Sequence, residues 1–201
     1  MTETFLIVGG DAAGMSAASK AKRDDPDLDV VVLERGEWVS YGACGLPYYV
    51  KGEVSDLEDL VAVPPESFVQ ERDIDLRTGH EATAIDTETR QVTVETETET
   101  YEQSYDHLLI ATGARALELP IDGLDRGGVF TLHSMAAGRE IRAFVESEPD
   151  LERVAVIGGG YVGIEMAEAF AAHDLDVHLF EMLPHTLQPF GAEAAATVED
   201  H

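Results

Sequence analysis

The stretch Val154-Ala155-Val156-Ile157-Gly158-Gly159-Gly160-Tyr161-Val162-Gly163 decides the fold. Its apolar start reads as a short buried strand, and Gly158, Gly160 and Gly163 fill all three positions of the G-x-G-x-x-G pattern that opens a helix after a strand. The first glycine makes the tight turn, the second lets a pyrophosphate approach the backbone, and the third lets the helix lie close to the strand. A helix over Ile164 to Ala172 is predicted next, with Tyr161 and Glu165 near its start, then a strand from Asp176 to Phe180 that ends in Glu181. An acid at that place accepts from a ribose 2′-hydroxyl and repels a 2′-phosphate, which favours NADH over NADPH.

The same grammar occurs at the start of the chain. Residues 4–10 form an apolar β-branched run, Asp11-Ala12-Ala13-Gly14 follows, and Met15 to Arg23 has helical character. Asp29-Val30-Val31-Val32-Leu33-Glu34 is a second apolar strand ending in an acid, with Arg35 beyond it. Gly9 and Gly14 hold the first and third positions of the pattern, and Glu34 lies 20 residues after Gly14. Asp11 stands where the second glycine belongs, which weakens this match. Taken alone it is a weak match, with a helix–strand packing turn that holds no nucleotide as the lesser alternative. Two such units in one chain are far more specific, and they predict an α/β fold with two Rossmann-like dinucleotide-binding units, the second one truncated. Gly10, Ala12 and Ala13 of the first turn belong to the expected cofactor site. So do Thr112 and Gly113, which end the buried strand Tyr105 to Ala114.

Between the two units lies Ser40-Tyr41-Gly42-Ala43-Cys44-Gly45-Leu46-Pro47-Tyr48-Tyr49, which holds the only cysteine. A lone cysteine is commonly a small buried hydrophobe. Here Gly42 and Gly45 remove bulk on both sides, and Leu46-Pro47-Tyr48 reads as the first turn of a helix, where proline is tolerated. A sulfur at a helix N-terminus is biased toward thiolate. Beyond it, the alternation of β-branched and acidic residues over 91–105 predicts a hairpin with one wet face.

At 201 residues and 44% hydrophobic content the chain is globular. It has no run long enough to span a membrane, and Phe5-Leu6-Ile7-Val8 runs straight into glycines without a basic flank, so neither a signal peptide nor an anchor is expected. These features predict a cytoplasmic protein, and one cysteine allows no internal disulfide framework. The seven histidines show no metal-ligand spacing, and no metal is expected. Forty acidic residues against 13 basic ones give a net charge of −27, spread over the whole length. That charge makes nucleic acid an unfitting partner. It suits a surface built for high salt, where dense carboxylates stay hydrated and their repulsion is screened.

Two dinucleotide units, a redox cysteine after the first and Leu108-Leu109-Ile110-Ala111-Thr112-Gly113-Ala114 together resemble the pyridine nucleotide-disulfide oxidoreductase superfamily. Ser40-x-x-x-Cys44-Gly45-Leu46-Pro47-Tyr48 is similar to its single-cysteine branch of coenzyme A-disulfide reductases, NADH oxidases and NADH peroxidases. The likeness extends over essentially the whole chain, including Pro65-Glu66-x-Phe68. It implies an FAD-binding unit over 1–125, carrying Cys44 and a β-hairpin insertion, and a partial NAD(P)H-binding unit over 126–201. It also implies that the returning FAD segment and the dimerisation domain of a homodimer lie outside these residues.

Within the branch, the resemblance places a histidine of the oxidases and peroxidases where this chain has Ala12. Its absence favours coenzyme A-disulfide reductase, with Cys44 as the catalytic residue. Ser16, Lys20 and Arg23 fall at i, i+4 and i+7 of the first helix and hence on one face. In the reductases the matching positions touch coenzyme A, and Arg72, Ser40 and Ala43 are implied to do the same; without that ligand Lys20 and Arg23 read as ordinary solvated residues. Three readings stand: the disulfide reductase, an NADH oxidase or peroxidase, and a non-catalytic remnant that binds nucleotide or nothing.

The charge reading has a direct consequence. The midpoint of thermal unfolding should rise as potassium chloride goes from about 0.1 M to about 1 M, over which the screening length falls from about 10 Å to about 3 Å. A midpoint indifferent to salt would remove the high-salt reading.

Overall fold

The computed structural model describes residues 2–117 and 119–200. The chain packs as two compact units whose sequences interleave. The first runs up to Gly42 and resumes over Val61–Arg115; the second joins Ala43–Leu60 to the chain from Ala116 onward. This is a division by packing, and the segment that carries Cys44 falls with the later residues because its helix has its apolar partners there.

The first unit begins with strand β1 (Thr4–Val8), helix α1 (Ala12–Asp24) and strand β2 (Asp29–Glu34). Strands β3 (Asp75–Thr78) and β7 (His107–Ile110) complete a four-stranded parallel sheet in the order β3-β2-β1-β7. Between them β4 (Glu81–Asp86), β5 (Gln91–Glu95) and β6 (Thr100–Ser104) form a separate antiparallel sheet. Successive side chains of a strand point to opposite faces, and here both faces are covered. Ile7, Val30 and Val32 pack with Met15 and Ala18 of α1 and with Phe68 and Ile74. Leu6, Val31 and Leu33 pack with Val92 and Val94 of β5 on the other side. That two-sided burial is why β1 and β2 read as continuous apolar runs. The expected hairpin over 91–105 is β5–β6, with Val92 and Val94 fully buried and the alternate residues Thr93 and Glu95 on the opposite, wetter face.

The second unit holds α2 (Leu46–Lys51), α3 (Met135–Ser147), β8 (Arg153–Ile157), α4 (Tyr161–Ala171), β9 (Asp176–Phe180) and α5 (Ala192–Glu199). β8 and β9 pair in parallel. Val50 of α2, Ile141 of α3, Val156 of β8 and Met166, Ala169 and Phe170 of α4 make one core. Helix α3 precedes β8 in this unit. Its signals are an N-cap, Ser134, whose hydroxyl accepts from the Ala137 N–H at 3.3 Å, and buried Met135, Gly138 and Ile141 at helical spacing. No helix of the described residues is long and apolar enough to cross a membrane.

In each unit the third glycine of the turn is there for packing. A Cβ on Gly14 would sit 1.8 Å from the Gly9 carbonyl oxygen, and one on Gly163 would sit 1.9 Å from that of Gly158. Gly160, the N-cap of α4, has nothing within 4 Å of the same point. Gly163→Ala should therefore destabilise the protein by about 1–3 kcal/mol, as overpacking does. Gly160→Ala should cost less than about 1 kcal/mol, the scale of an N-cap change. Urea midpoints of the two variants check this, and equal losses would overturn the packing assignment.

Candidate nucleotide and thiol site

The two strand–turn–helix units are built alike down to single hydrogen bonds. Gly9 and Gly158 both take left-handed backbone angles, with φ of +112° and +111°, at the ends of β1 and β8. Glu34, the last residue of β2, accepts from the Gly10 N–H and from the Gly36 N–H, each at 2.8 Å. Glu181, just past β9, accepts from the Gly159 N–H and from the Leu183 N–H, each at 2.7 Å. In both places one carboxylate ties the glycine turn to the chain leaving the neighbouring strand. The amides of Leu183 and then Gly159 hold the Glu181 carboxyl below the usual carboxylate range. Each carboxylate oxygen offers about two acceptor positions, so neither acid is saturated by its two backbone donors.

Asp11, at the imperfect position of the first turn, has its own task. It is the N-cap of α1, yet its side chain does not cap the helix; it accepts from the Tyr41 N–H at 3.1 Å. Ser40 donates its N–H to the Gly10 carbonyl at 3.1 Å, and its own carbonyl accepts from Ala62 at 2.8 Å. Ser40 holds φ at +52°, a conformation that costs a non-glycine residue about 1 kcal/mol or more. The chain entering the cysteine segment is thus fastened to the first glycine turn. Burial, together with Asp11 and Glu34, pushes the Tyr41 phenol up.

Gly9, Gly10, Asp11, Glu34, Ser40 and Thr112 converge at the C-terminal edge of the parallel sheet, where a Cβ on Gly9 would meet the Ala111 carbonyl oxygen at 2.2 Å. Ala12 and Ala13 are exposed in the first turn of α1, and Gly113 has open space around it. Arg35 is exposed and pairs with Glu81 at 3.9 Å. Ser16, Lys20 and Arg23 lie on one exposed face of α1, as expected from their spacing, with Lys20 paired to Asp24. Lys22 is not part of that face: its ammonium donates to the Pro26 and Leu28 carbonyls and to Asp73. Arg72 donates to the hydroxyl of buried Ser19 at 2.7 Å and stacks 4.7 Å above the Phe68 ring. In the second unit Gly158, Gly160, Tyr161, Gly163 and Glu181 converge, with Tyr161 exposed and Glu165 half-buried one turn along α4.

Cys44 is exposed, in a 3-10 turn over Ala43–Gly45 that runs into α2. Pro47 lies in the first turn of that helix, as its sequence predicted. What holds α2 was not visible from the sequence. Arg142 of α3 donates from Nη1 to the carbonyls of Tyr49, Val54 and Ser55 at 3.3, 3.1 and 3.0 Å, and stacks 4.6 Å from the Tyr49 ring. Its charge is reinforced by Glu146, which raises its pKa. His173 Nε2 donates to the Val50 carbonyl at 2.8 Å, and Lys51 meets Glu168 and Glu53, both at 2.7 Å. Among the described residues no group of three His, Cys, Asp or Glu side chains could hold a metal ion.

The profile of the pyridine nucleotide-disulphide oxidoreductases matches residues 3–201. The chain is 44% identical over 170 residues to the NAD(P)H sulfur oxidoreductase (CoA-dependent) of Pyrococcus abyssi, covering 85% of this chain and 37% of that one. It is 34% identical over 177 residues to the coenzyme A disulfide reductase of Staphylococcus haemolyticus, covering 87% of this chain and 39% of that one. The crystal structure of reduced Bacillus anthracis CoADR-RHD superposes with a TM-score of 0.94 at 31% identity, over all of this chain and 36% of that one. The chain thus spans about two fifths of the length of the curated relatives it matches. From β1 to α5, the chain belongs to the pyridine nucleotide-disulphide oxidoreductase family.

Proposed function

We propose that this chain carries the FAD site, the redox cysteine and part of the NAD(P)H site of a coenzyme A-disulfide reductase. In functional terms residues 1–125 are the FAD-binding unit and 126–201 a partial NAD(P)H-binding unit. The observation that carries the reading is the exposed Cys44, in a braced turn, in a chain that holds two glycine turns of the same construction. Both turns suit a dinucleotide. The first-turn N–H groups of α1 and α4 receive no N-cap side chain, because Asp11 bonds elsewhere and Gly160 has none, and such helix starts receive phosphates. Gly160 leaves open the space a Cβ would occupy. Glu34 and Glu181 retain acceptor positions for ribose hydroxyls.

Chemically, the Cys44 thiolate attacks one sulfur of coenzyme A disulfide. A Cys44–sulfur bond forms as the substrate's disulfide breaks, and one coenzyme A leaves as thiolate and takes a proton from water. FAD held at the first glycine turn by Gly9, Gly10 and Glu34 would supply the two electrons, drawn from NAD(P)H, needed to reduce the mixed disulfide. Cys44 returns as thiolate and the second coenzyme A departs. Ser16, Lys20 and Arg23 would take the phosphates of the coenzyme, with Lys20 exchanging Asp24 for a phosphate oxygen, and Arg72, Ser40 and Ala43 would line its path. The methyl of Ala12 offers no hydrogen bond to a cysteine sulfenate, which disfavours the NADH oxidase or peroxidase reading. The same proposal makes the whole enzyme a cytoplasmic homodimer, adapted to high salt by its acidic surface.

Purified in high salt, incubated with FAD and freed of unbound flavin, the protein should keep a flavin spectrum and reduce coenzyme A disulfide with NADH. Cys44→Ser should keep the flavin and lose at least about 100-fold in that activity, as removal of a nucleophile does. A colourless protein would withdraw the activity from this chain, an undiminished Cys44→Ser variant would refute the thiol mechanism, and rapid oxygen uptake with NADH would favour the oxidase.

A further inference from the structure

α2 is only six residues long, and a helix of that length does not hold itself together in water. Its N-terminal side carries Cys44, so whatever stiffens α2 fixes the cysteine turn. Leu46, the first helical residue, is pressed against α3: a Cβ on Gly138 would lie 2.9 Å from Leu46 Cδ2. One turn along the same face of α3, Arg142 reaches the far end of α2. There Gly52, with φ of +91°, ends the helix and donates to the Tyr48 and Tyr49 carbonyls. The Tyr49 carbonyl and the two carbonyls of the turn beyond, Val54 and Ser55, all accept from Arg142 Nη1. The guanidinium lies over the Tyr49 ring, and Glu146 accepts from Nε at 2.8 Å, which fixes the plane of the fork. The last carbonyls of a helix have no partners within it, and a cation there is favoured by the helix dipole as well.

We propose that Arg142 is a positioning residue for Cys44: with Gly138 it grips both ends of α2 on one face of α3, and it fixes the cysteine turn for thiol–disulfide exchange. The proposal rests on the reductase reading. A guanidinium suits the task better than an ammonium, because its planar fork can stack on Tyr49, bond Glu146 through Nε and serve the carbonyls through Nη1 at once. Arg142 touches neither the sulfur nor any reacting atom. Its effect should therefore appear in turnover and not in nucleotide affinity.

The test compares the flavin-loaded wild type with Arg142→Ala, Arg142→Lys and Glu146→Gln. In Arg142→Ala, amide hydrogen exchange over residues 48–55 should quicken by at least about tenfold, while peptides of β1, α1 and β2 keep their rates. The kcat for coenzyme A disulfide should fall about tenfold, as misplacement of a reacting group does, with KM for NADH within about twofold of wild type. Arg142→Lys should recover part of both losses, and Glu146→Gln should show the same pattern more weakly; these two decide the matter if Arg142→Ala does not fold. Unchanged exchange over 48–55 would overturn the clamp. Faster exchange with unchanged kcat would reduce Arg142 to a structural residue and overturn the positioning role. A wild type that holds flavin yet reduces no disulfide would instead remove the reductase reading, and Arg142's role with it.

Discussion

The close approach of a helix to the turn that precedes it governs the rest of this structure. At Gly14 and Gly163 the helix backbone lies against the turn's first carbonyl with no room for a methyl group. That approach brings the start of each helix to the C-terminal edge of the sheet, where uncapped N–H groups and the carboxylate of the next strand meet. Any residue larger than glycine would push the helix outward. Residues such as Ile7, Met15 and Ala18, packed together across the first strand–helix contact, would then separate.

The carboxylates act on the same edge from the other side. Glu34 and Glu181 each hold two backbone N–H groups, one from the glycine turn and one from the chain beyond the strand. Hydrogen bonds to a charged acceptor are stronger than neutral ones, so each acid shapes its turn whether or not a nucleotide is present. A group whose pKa is depressed by folding stabilises the fold above its unfolded value, and that contribution is lost as pH falls through the folded value. For Glu181 this window lies at and below the ordinary carboxylate range. Recognition of the ribose and stability of the turn are thus two uses of one side chain.

The sequence made legible what repeats at fixed spacing. Glycines at 9, 14, 158, 160 and 163, acids at 34 and 181, and the two-faced apolar runs of β1 and β2 together specify a strand–turn–helix–strand order. The exposed face of Ser16, Lys20 and Arg23 followed from helical geometry in the same way. What stayed hidden depends on residues distant in sequence. Arg142 lies some 90 residues from the carbonyls it serves, and nothing local to Met135–Ser147 marks it as different from Arg139. Asp11 looked like a defect in a motif, and only the Tyr41 amide shows why a side chain is useful there. The bonds of two cations are equally hidden: Lys22 donates to the carbonyls after α1, and Arg72, 53 residues from its partner, donates to the buried Ser19 hydroxyl.

The two first-position glycines separate causes that the motif alone confounds. Gly9 has two reasons to lack a side chain: its φ of +112°, and the Ala111 carbonyl, just past β7, that a Cβ would strike at 2.2 Å. Gly158 has the same φ but nothing within 4 Å, because β8 is paired only with β9 among the described residues. If crowding by a neighbouring strand were the primary demand, Gly158 could be any small residue. The shared φ shows that the primary demand is the backbone conformation itself, which an L-residue adopts only at a cost. The crowding at Gly9 is a consequence of β7 lying beside β1, and it tightens a requirement that the turn had already imposed.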